Sequence, residues 1–135
     1  MIPGVMAWRR QADGLGPERV ANGKFVDASG WSNTAGAMFS ISGGVATAAS
    51  GTSGIFANAG TVEAGKTYRV TYDLVRTAGS VRINFTAANF GTVRSASGTY
   101  TEDITAVAGT TIEANGFGSF RGSIDNVSVR EVLAP

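Results

Sequence analysis

Thr67-Tyr68-Arg69-Val70-Thr71-Tyr72-Asp73-Leu74-Val75-Arg76 is the stretch on which the fold turns. Tyr68, Val70, Tyr72 and Leu74 share one parity, while Arg69, Thr71 and Asp73 share the other. Successive side chains of a strand point to opposite faces, so this period of two describes a strand with one buried face. Burying each large side chain stabilises by about 1.5–3 kcal/mol before the loss of chain entropy is counted.

The pattern continues outward. Ala78-Gly79 reads as a turn into Ser80 to Ala87, where Val81, Ile83 and Phe85 alternate with Arg82, Asn84 and Thr86, so a hairpin is expected. Upstream, Ala37 to Ser42 and Val45 to Ala49 flank Gly43-Gly44, a two-residue connection that tolerates positive φ and predicts a primed hairpin turn. Gly51 to Gly54 reads as another turn, followed by a short strand at Ile55 to Asn58. Downstream, Thr99 to Ala106 and Thr110 to Ala114 are expected to pair across Val107-Ala108-Gly109, with a further turn at Asn115 to Gly118. The last strand, Ser119 to Val132, changes phase: Ile124 has the opposite parity from Val127 and Val129. Either both its faces are covered, or a bulge at Asp125-Asn126 returns the valines to the core.

Composition sharpens the class and excludes functions. The chain has 135 residues, enough for one domain, and its nineteen glycines and three prolines suit short strands joined by tight turns. Its formal charge of +1 is scattered along the chain, so the field that draws in a nucleic acid is missing. There is no histidine and no cysteine. This removes the usual general base, the thiolate nucleophile, the Ser-His-Asp triad and the common zinc sets. Glu102 and Asp103 are neighbours on a predicted strand, so their side chains diverge and cannot share a substrate. No enzymatic activity is expected. No apolar run of membrane-spanning length occurs, and the first ten residues lack the apolar core of a signal peptide, so neither membrane insertion nor secretion by that route is expected.

Residues 1–19 differ from the rest. Pro3, Pro17 and glycines at 4, 14 and 16 surround Val5, Met6 and Trp8, which lie beside Arg9 and Arg10 without strand alternation. This segment reads as an extended N-terminal arm, and residues 20–135 as the globular body. Tryptophan and arginine are enriched at the energetic centres of interfaces, so Val5, Met6, Trp8, Arg9 and Arg10 are the candidate assembly anchor.

Several stretches in order carry a resemblance: Asn22-Gly23-Lys24-Phe25 with Gly30-Trp31, then Phe39 to Ala48, Ala64 to Tyr72, Gly98 to Thr101, and Ile124-Asp125-Asn126-Val127-Ser128-Val129. Together they resemble the jelly-roll domains, similar to carbohydrate-binding modules, that recur in bacteriophage tail, fibre and head-decoration proteins. The resemblance covers about Val20 to Val132. It implies an all-β jelly-roll sandwich of two antiparallel sheets and a structural or binding role in a virion. It also implies a structural calcium at Asp125 with Asn22 or the carbonyls around Lys24, although Val26 stands where a carboxylate is usual and Asp27 comes one residue later. The other reading of Asp125 is an acceptor that caps the bulge, with no cofactor. Sugar-binding relatives use exposed aromatic platforms. Trp31 and Tyr72 fit the core, which leaves Phe90, Tyr100 and Phe117 as the candidate glycan platform.

The expected function is therefore a non-enzymatic virion structural protein, a head decoration, spike, tail or fibre subunit held to the particle by its arm. Other virion proteins would be its partners, the oligomer a homotrimer, and the site of assembly the host bacterial cytoplasm. The alternative is a lectin-like module that binds host surface glycans.

Overall fold

The computed structural model describes residues 14–34, 36–85, 89–107 and 110–133. The anchor candidates Val5, Met6, Trp8, Arg9 and Arg10 lie outside these residues. Among the described residues nine strands follow in order: β1 (Leu15–Glu18), β2 (Trp31–Thr34), β3 (Ser40–Ser42), β4 (Val45–Thr52), β5 (Ile55–Val62), β6 (Thr67–Phe85), β7 (Asn89–Phe90), β8 (Gly98–Thr105) and β9 (Thr110–Val132). All of their pairings are antiparallel, and they make one strongly curled, half-barrel sheet.

Long strands cross the curl side by side. β6 and β9 are nineteen and twenty-three residues long and stay paired from Tyr68↔Glu131 to Phe85↔Ile112. β4 and β5 lie end to end along the other edge of β9, from Ala46↔Ile124 to Thr52↔Phe120 and then from Ile55↔Asn115 to Val62↔Thr110. The register slips on β6 between Arg76 and Ser80, and on β4 between Ala48 and Thr52. The expected hairpin at Ala78-Gly79 and the expected turn at Asn115 to Gly118 are therefore corrected: each is a corner inside one continuous strand. Likewise β8 pairs with β6, and no pairing joins it to β9 among the described residues.

At the corner, main chain packs directly on main chain. Gly79 has φ of 65°, and a Cβ there would lie 2.6 Å from the Phe120 Cα. On Gly122, with φ of 145°, it would lie 2.1 Å from the Val75 carbonyl oxygen. Only glycine allows this approach and these dihedrals together. The Gly43-Gly44 turn does form as the sequence predicts, with φ of 62° and 80° closing β3 onto β4 at Ser42↔Val45.

The core fills the inside of the curl. Phe25 packs on Trp31 at 5.2 Å between ring centroids, Trp31 on Phe56 at 4.9 Å, Phe56 on Phe39 at 4.7 Å, and Phe39 approaches Phe120 at 6.1 Å. Tyr68, Val70, Tyr72, Leu74, Val81, Ile83 and Phe85 are all buried, as their parity requires. The phase change in β9 is a bulge. Asp73 faces Asp125 and Thr71 faces Ser128, so β9 spends one residue more than β6 over this interval, and Asn126 takes φ of 49°. Ile124, Val127 and Val129 are consequently all buried.

The sheet begins earlier than the sequence suggests. β1 pairs with the end of β9 through Leu15↔Val132 and Glu18↔Arg130, inside the stretch that reads as arm.

Candidate functional site

The start of the described chain is fastened to the last strand around Glu18. Its carboxylate accepts hydrogen bonds from Ser128 Oγ at 2.7 Å, from the Val129 amide at 2.8 Å, and from the Arg19 and Val20 amides at 3.1 and 3.2 Å. The Arg19 amide also donates to the Val129 carbonyl, and Arg130 Nε donates to the Gly16 carbonyl at 2.7 Å. Bonds to an ionised acceptor are about twice as strong as neutral ones, so one side chain ties the chain's entry to its last strand.

The neighbouring loop is pinned to the same place. The Phe25 amide donates to the Asn22 carbonyl, and both residues adopt left-handed backbone, with φ of 52° and 53°. For a phenylalanine this costs about 1–2 kcal/mol, which burial against Trp31 offsets. Gly23 lies on the bulge: its carbonyl accepts from the Val127 amide at 2.9 Å, and a Cβ would sit 2.0 Å from the Val127 oxygen. Between loop, bulge and root lies a cleft of about 350 Å³, with Glu18, Ser128 and Arg130 among its walls and exposed Lys24 at its side.

The candidate calcium ligands turn their oxygens inward to their own loops. Asn22 Oδ1 accepts from the Val26 amide at 3.0 Å, and Asn22 Nδ2 donates to the carbonyls of Asp27 and Ser29 at 2.8 Å each. Asp27 holds the Ser29 hydroxyl and amide, and those two bonds keep its carboxyl below the usual carboxylate range. Asp125 Oδ1 accepts from the Asn126 amide at 2.7 Å, which is the bulge-capping role. Calcium requires six to eight oxygens. Among the described residues no group of three or more His, Cys, Asp or Glu is placed to hold a metal.

The aromatic candidates are not bare platforms. Tyr100 is partly buried, donates its hydroxyl to the Ala96 carbonyl, and carries the Arg94 guanidinium 4.3 Å from its ring centroid. Arg94 pairs with Glu102 at 3.4 Å, and Glu102 also accepts from the Thr92 amide and hydroxyl. Tyr72 lies 5.8 Å from Tyr100, with its hydroxyl buried near Arg94. Burial pushes that phenol up to about 12, and nearby Arg94 offsets part of the shift. Phe117 carries Arg82 4.7 Å from its centroid. Burial lowers the Arg82 pKa, against the opposing field of Glu113. Glu113 is itself buried and accepts from Asn84 Nδ2 at 2.7 Å. The Phe90 side chain lies outside the described residues.

Glu18 escapes a sequence reading. Its partners on the last strand, Ser128 and Val129, are 110 and 111 positions away, and no local motif marks a carboxylate that caps a distant strand. The pairing of Arg94 with Tyr100 and Glu102 is equally silent, because the intervening segment lacks strand alternation. No protein-family model matches the chain, and no curated protein matches it.

Proposed function

We propose that the chain is a non-enzymatic structural subunit of a bacteriophage virion, a head decoration, spike, tail or fibre protein, attached to the particle by the residues that precede β1. On this proposal the two halves of the curled sheet, on either side of the corner, correspond to the two sheets of a jelly-roll sandwich. The observation that supports it is the Glu18 anchorage, which fastens the root of the N-terminal segment to the last strand with charge-assisted bonds. A segment that transmits load to a partner needs such a root. The partners are other virion proteins, and assembly takes place in the host bacterial cytoplasm.

The glycan-binding alternative has less behind it, because Tyr100 and Phe117 each have a guanidinium over the ring. Deleting residues 1–13 while keeping Gly14 onward tests the proposal. The truncated chain should keep its circular dichroism spectrum and melting temperature and fail to enter assembling particles. Incorporation at the full-length level would refute attachment through this segment.

A further inference from the structure

β8 is the one long free edge among the described strands. It pairs with β6 over eight positions without a register shift, from Thr67↔Thr105 to Leu74↔Gly98. The Ala106 amide donates to the Lys66 carbonyl at 2.9 Å, and hydrogen-bonded positions alternate along an antiparallel pair. Counting back from Ala106, the main-chain groups of Ile104, Glu102 and Tyr100 face β6. Those of Thr105, Asp103, Thr101 and Thr99 therefore face away from it. The close side-chain pairs agree, since side chains approach more nearly at non-hydrogen-bonded positions: Thr67 meets Thr105 at 2.7 Å, and Arg69 meets Asp103 at 2.8 Å.

Edges of this kind are usually blunted by proline, charged side chains, a bulge or shortness. β8 has no proline, lysine or bulge, and its two charged side chains, Glu102 and Asp103, are engaged by Arg94 and Arg69, whereas β2 and β3 are four and three residues long. Its outer-face side chains are also drawn toward β6, with Thr99 bonded to Asp73 and Asp103 to Arg69, so they leave the edge clear.

We propose that β8 pairs antiparallel with β8 of a second copy of this chain across a two-fold axis at Thr101. Outward-facing residues must meet outward-facing residues, which limits the register to two-residue steps. With Thr101 opposite itself, Asp103 faces Thr99, Glu102 faces Tyr100, and no two carboxylates are directly opposed. Centring on Glu102 would oppose the two Glu102 side chains, and centring on Asp103 would oppose the two Asp103 side chains. Centring on Tyr100 shortens the overlap. The Thr101 register is therefore the longest that avoids like charges in contact, and it continues the sheet from one copy into the next.

Sedimentation equilibrium of the full chain, with a disulfide trap, tests this. The wild type should associate to a dimer. Thr101→Pro removes the central donor at a position where an edge strand tolerates proline, and should weaken association by about tenfold or more with the monomer's melting temperature retained. Thr101→Cys should cross-link on oxidation far faster than Thr105→Cys, because only position 101 meets its own copy within disulfide reach. A wild type that stays monomeric, a closed trimer, or equal cross-linking at 101 and 105 would overturn the proposal.

Discussion

The corner and the bulge both bend β9, a few residues apart, and they do so by opposite means. At the corner the Gly122 backbone lies against the Val75 carbonyl, so the bend consists of missing side chains. At the bulge the bend consists of side chains that are present: Asp125 holds the Asn126 amide, and Asn126 Nδ2 donates to Asp73 Oδ2 at 2.7 Å. One device is steric and indifferent to pH. The other is polar and titrates. A single strand can therefore contain a feature that tolerates almost no substitution beside one whose strength is graded by hydrogen bonding.

The largest effect expected is at the corner. Gly122→Ala puts a Cβ onto a carbonyl oxygen in a backbone region closed to alanine, and should cost about 4 kcal/mol or more, read as loss of the cooperative unfolding transition. An alanine variant with near wild-type stability would show that the corner can relax. Next is Glu18→Ala, which strips the root of its acceptor and should cost about 2 kcal/mol in denaturant titration; it should leave Gly122 and its neighbours as protected from hydrogen exchange as before.

Acid should separate the two bends without mutation. The Asp73 carboxyl is held below its ordinary value by Asn126 and then Thr99, and that of Asp103 by Arg69. Groups with depressed folded pKa stabilise fully above their unfolded value of about 3.9 and lose that contribution as pH falls through the folded value. The protection factors of the Asn126 and Val127 amides should therefore fall at low pH before that of Phe120 does. Simultaneous opening would deny the bulge its separate titration. At the alkaline end Tyr72 has a raised pKa, so its contribution is complete below about 10 and declines as pH rises toward about 12. With no histidine, the melting temperature should be nearly flat between these limits. The smallest effect expected is that of Asn126→Gly, which loses the Asp73 bond but relieves the left-handed backbone, for a net change within about 0.5 kcal/mol.

Much of this was legible in the residues, for reasons that also explain what was not. The buried face of Tyr68, Val70, Tyr72 and Leu74, the Gly43-Gly44 hairpin and the bulge near Asn126 each follow from parity or turn chemistry confined to a few neighbours. The corner does not. Ala78-Gly79 presents the same local chemistry whether the chain reverses or merely bends, and only pairing to Arg121 and Phe117 decides between them. The same limit applies at the candidate site. Asp125 was legible as the cap of a bulge, because the amide it holds is the next one along. Glu18 was not, because its role depends on Ser128 and Val129 being brought to it by the completed sheet.

The meeting of β1 with the end of β9 sets how the molecule bears force. The Leu133 amide donates to the Gly14 carbonyl, so the described chain begins and ends side by side. Tension that separates those two ends would peel β1 away one bond after another, the weak direction of a zipper. Tension between the root and the far corner runs along β9 and loads its ladders in shear, where many bonds must fail together and the unfolding rate at a given force is correspondingly low. The fold is thus weak when its two ends are pulled apart and strong when pulled along its length.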